Sequence, residues 1–151
     1  MVHYTCKAFQ ELTLDQLYAI MVLRQEVFVV EQDCPYIDAD NKDQDSYHLM
    51  GWNADNQLVA YTRLVPKGIS YNNYISIGRV ITSKLVRRQG VGITLMEKSV
   101  DKIRELFGTE EPIKISAQVY LLRFYTSLGF DKIGEEYLED GIPHTAMIRD
   151  H

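Results

Sequence analysis

The chain has 151 residues, 46% of them hydrophobic, and a formal net charge of -5. That length suits one domain whose core needs no disulfide or metal staple, and the apolar content excludes a disordered chain. The acidic balance argues against a nucleic-acid partner, whose phosphates demand a basic face, and no apolar run approaches the ~20 residues of a membrane span.

The opening segment, MVHYTCKAFQEL, is polar and weakly alternating, which predicts a first strand over residues 3–9. It lacks the apolar centre of a signal peptide, so a soluble, cytoplasmic protein is expected. The two cysteines, Cys6 and Cys34, have neither C-x-x-C nor zinc-site spacing and are expected as free thiols. TLDQLYAIMVLRQEVFVVEQ reads as an amphipathic helix. Thr13 and Gln16 form a capping box at its start. Leu14, Leu17, Met21 and Phe28 recur at helical spacing and predict the buried face. Pro35 ends the pattern.

PYIDADNKDQDS follows, acidic and irregular. YHLMGWN and QLVAYTRLV are β-rich and join around Ala54-Asp55-Asn56 as a hairpin. YISIGRVIT is a further strand. A glycine-bearing segment leads into a helix carrying Leu95, Met96, Val100, Ile103 and Phe107, which Gly108 is placed to stop. IKISAQV is a short strand, YLLRFYTSLGF a helix ending at Gly129, and the remainder two strands turning near Asp140-Gly141. The expected fold is a mixed α+β or α/β domain with an antiparallel portion and at least one crossover helix.

The segment SKLVRRQGVGITLM, Ser83 to Met96, carries the first functional signal. A strand, a glycine turn and a helix start make an anion site: the first amides of the helix lack partners, its dipole is positive there, and glycine admits close backbone approach. Arg87 and Arg88 add positive charge. A diphosphate explains both glycines and arginines. The P-loop lysine and hydroxyl are missing, and Gly90-x-Gly92 is followed by Leu95 where the dinucleotide fingerprint needs glycine. A plain connecting loop is the structural alternative.

R-x-x-G-x-G directly after IGRVIT resembles motif A of the GNAT acyltransferases, and FYTSLGF resembles their second signature. Together with RQEVFVVEQDCPY, DADNKDQD and EEYLEDGIPHTAM, these segments resemble the ElaA-like members over nearly the whole chain. The resemblance implies a GNAT-like fold: a central mixed, mostly antiparallel sheet, flanked by helices, with two parallel strands splayed apart near Thr82 and Ala117. It implies acetyl-CoA as cosubstrate and no metal. The pyrophosphate would rest on the amides of Arg88, Gln89, Gly90, Val91, Gly92 and Ile93, beside Arg87. The pantetheine arm would pair with Val80, Ile81 and Thr82. Gln118 and Phe124 join the expected cofactor contacts, although Phe124 and Leu128 also suit core packing. Tyr125 would protonate the departing thiolate, a role that a phenol suits.

The acceptor side is less defined. Asp38 to Asp45 fail the EF-hand pattern; they read as a solvated acidic loop or, at Asp38, Asp40 and Asp43, as an attractor for an amine. Glu31 is one candidate base, with His48 as a second. His48 and His144 also suit structural roles, and Cys34 reads as a pocket-lining or packed thiol. Arg79, inside an apolar strand, is expected to pair with the acidic loop or Glu31, or else to face water at a sheet edge. The expected reaction is N-acetyl transfer to a primary amine, small-molecule or peptide, through a tetrahedral intermediate whose oxyanion the splayed strand's amides stabilise. A non-catalytic CoA-binding domain and a dinucleotide oxidoreductase are the alternatives. A homodimer is a candidate assembly.

Overall fold

In the computed structural model, which describes residues 1–150, seven strands form one sheet in the order β1-β2-β3-β4-β5-β7-β6. They are β1 (His3–Ala8), β2 (Tyr47–Trp52), β3 (Leu58–Val65), β4 (Ile75–Thr82), β5 (Ile113–Gln118), β6 (Asp131–Glu139) and β7 (Ile142–Arg149). The helices are α1 (Leu14–Arg24), α2 (Val91–Phe107) and α3 (Leu122–Ser127). Only β4 and β5 pair parallel; the other neighbours are antiparallel. This is the expected mixed α+β architecture, in the expected element order. Among the described residues no helix is long and apolar enough to cross a membrane.

Helices cover both faces of the central strands, so β3 is buried along nearly its whole length. Alternation divides its side chains between two layers. Leu64 joins Met96, Val100 and Ile103 of α2 in the larger core, and Thr62 meets Ser99 of α2 in a buried hydroxyl pair at 2.7 Å. Tyr61 turns the other way, against Ile20 and Leu23 of α1. Helix α2 ends at Gly108, whose φ of 105° is open to glycine and strained for other residues.

Helix α1 departs from its predicted face. The capping box is present, with the Gln16 amide nitrogen donating to Thr13 Oγ1 at 3.1 Å, but Leu14 is 85% exposed. The fully inward positions are Ile20, Leu23 and Arg24, while Met21 and Phe28 pack at the margin. Apolar spacing missed this face because one of its members is a charged residue. A π-helical stretch, Gln25–Glu31, then widens the last turns. Its i→i+5 bonds include Gln32 N–H to Val27 O at 3.1 Å and Cys34 N–H to Val29 O at 3.0 Å.

The acidic segment is neither a solvated loop nor an open amine attractor. Asp38 and Asp43 are buried and Asp40 is half-buried against three arginines from three different elements, while Asp45 stays exposed. Arg24 of α1, 0% exposed, holds Asp38 and Asp43, each at 2.6 Å. Arg63 of β3 holds Asp40 at 2.7 Å and Asp43 at 2.9 Å. Arg79 of β4 lies 2.8 Å from Asp38 and 3.3 Å from Asp40, which settles its partners as the acidic loop. Burial alone would raise the Asp40 and Asp43 pKa values. The arginine hydrogen bonds and charges outweigh it and lower both.

This network anchors an irregularity in β4. Tyr61 pairs with Ile81 and Arg63 with Gly78, so β4 carries one extra residue there. Arg79 takes the left-handed region at φ 50°, as the first residue of a G1-type bulge does. Beyond the bulge β4 follows β3 as far as Thr82, and β5 follows β7 to Gln118. The β4–β5 pairing is confined to Ile75↔Ile113 and Ser76↔Lys114. The two parallel strands therefore diverge, and a gap opens through the sheet.

Candidate active site

The gap is a channel with two mouths and a narrow throat. On one side lies a cavity of about 440 Å³, bounded by Phe28, Glu31, Thr82, Arg87, Gly92 and Phe124. The throat, about 110 Å³, shares Phe28, Gln32, Val80, Gln118, Leu121 and Tyr125 with that cavity. Its other end is lined by Cys34, Glu139, Asp140 and His144. It shares Arg79, Ser116, Glu139 and Asp140 with a polar mouth of about 420 Å³. Gln32 and Gln118 hydrogen-bond across the throat at 3.2 Å, joining the π-helical segment to the end of β5.

Arg87 and Gly92 of the glycine segment line the first cavity, while Gln89, Gly90 and Val91 border a separate cavity of about 520 Å³. Arg88 (φ 65°) and Gly90 (φ 76°) are both left-handed, which turns the chain into the start of α2. Thr94 N–H makes the first intrahelical bond, to Gly90 O at 3.2 Å. The amides of Val91, Gly92 and Ile93 precede it and have no carbonyl one turn back to meet. A Cβ on Gly92 would stand 3.6 Å from the Phe124 ring, an ordinary contact, so the fold does not forbid a side chain there. The space it would enter is part of the cavity. A diphosphate fits this arrangement: helix-start amides, positive dipole and an uncluttered approach.

Arg87 is placed differently from a free phosphate ligand. Its guanidinium folds back onto the carbonyl of Thr82, at 3.2 Å from Nε and 3.0 Å from Nη2, and pairs with Glu31. Arg87 thus ties the end of β4 to the π-helical segment. Glu31 faces the same cavity as the glycine segment rather than the polar mouth, and its charge is spent on Arg87. Arg88, Gln89 and Ile93 are exposed and do not line this cavity. Val80, Ile81 and Thr82 line the cavity along the free side of β4.

Tyr125 is 5% exposed and lines both the throat and the first cavity. Its ring is held edge-on by Phe124 and Phe130, with centroids 5.1 and 6.1 Å away. Burial, with a smaller contribution from Tyr120, raises its pKa, so the phenol keeps its proton. Phe124 serves both expected roles: it borders the cavity and packs on the core.

His48 has to be removed from the catalytic candidates. It is 0% exposed on β2 and lies outside the channel. The Tyr61 hydroxyl donates to its Nδ1 at 2.6 Å, and Nε2–H donates to the Asp43 carbonyl at 2.9 Å. Burial lowers its pKa and keeps it neutral. With both nitrogens engaged it supports the acidic loop from below. His144, by contrast, lines the throat, and so does Cys34, whose thiol donates to Asp140 O at 3.3 Å. Glu139, Ser116 and Gln32 also line the channel and had no sequence signal beyond proximity to DGIPH or to the first helix. Among the described residues no group of three His, Cys, Asp or Glu is placed to hold a metal ion.

Comparison with known proteins gives the arrangement its context. Residues 15–150 match the family described as Acetyltransferase (GNAT) domain. Protein ElaA of Escherichia coli is 43% identical over 142 residues, spanning 93% of this chain and 91% of that protein. A UPF0039 protein from Synechocystis sp. is 40% identical over 97% of this chain and 94% of its own. The crystal structure of an acyl-CoA N-acyltransferase from Pseudomonas aeruginosa superposes with a TM-score of 0.92 at 44% identity, covering 99% of each chain. That of E. coli ElaA superposes with a TM-score of 0.90 at 40% identity, again over 99% of each chain. By sequence and by fold, this chain is a member of the GNAT acetyltransferase family and lies in its ElaA-like branch.

Proposed function

We propose that the whole chain is one N-acetyltransferase domain that moves an acetyl group from acetyl-CoA to a primary amine by direct attack. The observation that carries this reading is the channel through the sheet, with Gly92 of the first turn of α2 at one mouth, a polar mouth at the other and Tyr125 lining the throat between them. Donor and acceptor can then enter from opposite sides and meet where water has little room.

Each part of the chain has a task in that reaction. The amides at the start of α2 hold the pyrophosphate. The free edge of β4 at Val80–Thr82 accepts the pantetheine arm as an added strand would pair. Holding the thioester in the throat sets the reacting atoms at attack distance. A β4 amide next to the bulge can donate to the oxyanion. Tyr125 hands its proton to the departing sulfur. The Cys34 thiol is not required, since attack is direct. Two unpaired cysteines fit a reducing compartment and support a cytoplasmic setting.

A screen with acetyl-CoA and a panel of amines, read by thiol release, tests the reading; stabilisation by NAD and not by CoA in a thermal-shift assay would overturn it. The cradle is tested separately. Gly92→Asp keeps the fold, because an acidic side chain in the first turn of a helix is favourable by about 0.3–1 kcal/mol. The same carboxylate stands where the diphosphate binds, so CoA affinity is expected to fall by about 10- to 100-fold, or ~1.4–2.8 kcal/mol by titration calorimetry. Equal CoA affinity in mutant and parent would remove the cradle from the site.

A further inference from the structure

The acceptor's proton has no receiver among the residues considered so far. Glu31 is committed to Arg87 and His48 is sealed under the acidic loop. We propose that His144, oriented by the Ile142 carbonyl and backed by the Glu139 carboxylate, is the general base that deprotonates the acceptor amine. This assignment rests on the N-acetyl transfer reading.

In the neutral imidazole the hydrogen sits on Nδ1. Nδ1 of His144 lies 2.7 Å from the carbonyl of Ile142. A carbonyl only accepts, so Nδ1 carries the hydrogen and Nε2 carries the lone pair. Nε2 lies 3.5 Å from Glu139 Oε2. The imidazole is 7% exposed and lines the throat that Tyr125 also lines. Glu139 is itself held, since the Ser116 hydroxyl donates to its Oε1 at 3.2 Å and Tyr137 hydrogen-bonds Ser116 in turn. The Tyr137 ring stacks on the imidazole at 6.2 Å, fixing its plane. These residues come from β5, β6 and β7, so the receiver is built into paired strands rather than a loose loop.

The groups facing the imidazole are of two kinds. From β6 and its turn come Glu139 and Asp140, both acidic and both shared with the polar mouth. From the remaining walls come Cys34, Tyr36, Tyr125 and Arg79. Arg79 is bound to Asp38 and Asp40, and the polar mouth is also lined by Asp40, Lys42 and Arg63, so Glu139 and Asp140 supply the negative charge where mouth and throat join.

The protons balance. The N–H bond of the ammonium breaks and an Nε2–H bond forms, giving an imidazolium beside Glu139. The neutral amine attacks the thioester carbonyl carbon. The C–S bond breaks and the sulfur takes the Tyr125 proton. The phenolate recovers a proton from the new amide nitrogen through water, and His144 releases its own to solvent, so each turnover yields amide, free thiol and one proton.

The test compares the parent, His144→Asn, Glu139→Gln and Glu139→Asp with acetyl-CoA and three acceptors: spermidine, kanamycin and a lysine-containing peptide. Asn keeps a donor for Ile142 O and loses the Nε2 lone pair. Gln keeps an acceptor for Ser116 and loses the charge. Thiol release is followed as kcat/KM against pH, and CoA affinity and melting temperature are measured on the same samples. The parent is expected to lose activity as the pH falls, because protonation removes the lone pair. His144→Asn should fall by about 10²–10⁴-fold and lose that acid limb, with CoA affinity unchanged. Glu139→Gln should lower kcat/KM with CoA affinity and melting temperature unchanged, and Glu139→Asp, which restores the charge, should recover activity; Glu139 is thus a positioning residue, and a merely structural role would lower the melting temperature as well. A His144→Asn profile that superposes on the parent's overturns the assignment while leaving N-acetyl transfer standing. No thiol release by the parent with all three acceptors overturns the transfer reading and this assignment with it.

Discussion

Tyr125→Phe is expected to lower kcat by about 10²–10⁴-fold, the usual worth of a positioned proton donor, while leaving acetyl-CoA affinity near the parent value. The substitution removes one hydroxyl and keeps the ring. The edge-on contacts with Phe124 and Phe130 survive, and so do the bonds from Leu128 N–H and Phe130 N–H to the Tyr125 carbonyl. Stability should therefore change little. The proposed phosphate contacts are on another element, so most of the donor's contacts are kept. A loss confined to kcat marks an interaction made in the transition state. The raised pKa works in the same direction: a phenol that burial keeps protonated is ready to donate at neutral pH and gives up its proton only to a strong acceptor such as a departing thiolate. Single-turnover thiol release measures the chemical step directly. Unchanged kcat where chemistry limits the rate would return Tyr125 to a packing role.

The largest effect on stability is expected at Arg24, far from the chemistry in sequence and joined to it through the acidic loop. Arg24→Met keeps the aliphatic stem and removes the guanidinium that bonds Asp38 and Asp43. Both carboxylates stay buried with one donor fewer, and breaking such a pair from one side costs about 3–5 kcal/mol. For a chain of this length that is a fall of about 10 °C in melting temperature. Replacing the network wholesale with apolar residues would be less costly, since the penalty comes from the stranded charge.

The same network makes the protein acid-sensitive. Asp40 and Asp43 have folded-state pKa values below their unfolded ones. The stability they contribute is complete above the ordinary carboxylate value of about 4. It is lost as the pH falls below that value toward the depressed folded values. Urea melts at a series of acidic pH values should show this slope in the parent. In Arg24→Met the slope should be shallower, because Asp43 has lost one of its two arginines. Equal slopes would mean that Arg24 contributes nothing to holding Asp43 ionised. Because Arg79 sits in the same network and in the β4 bulge, the variant should also loosen the throat.

Much of this protein is legible without coordinates. The β-rich runs YHLMGWN, QLVAYTRLV and YISIGRVIT, the capping box at Thr13 and Gln16, and the stop at Gly108 all act through neighbours within a few residues. Local patterns therefore place the elements correctly. Gly90 at the cap and Gly92 in the first turn of α2 are equally local, since a turn into a helix is set by neighbouring residues. What the sequence left open are the roles of charged and titratable side chains, and here local spacing carries no information. Leu14 and Arg24 lie on one helix, yet the leucine is outside and the arginine inside, because two aspartates from a later loop arrive to neutralise it. Glu31 meets Arg87 across 56 residues, which takes it from the acceptor side. His48 and His144 look alike in the chain. One is sealed between Tyr61 and the Asp43 carbonyl, and the other lines the throat with one nitrogen free of the backbone. The tertiary structure decides between them because a side chain's chemistry is set by its partners and its access to water, and both are supplied by strands and loops remote in sequence.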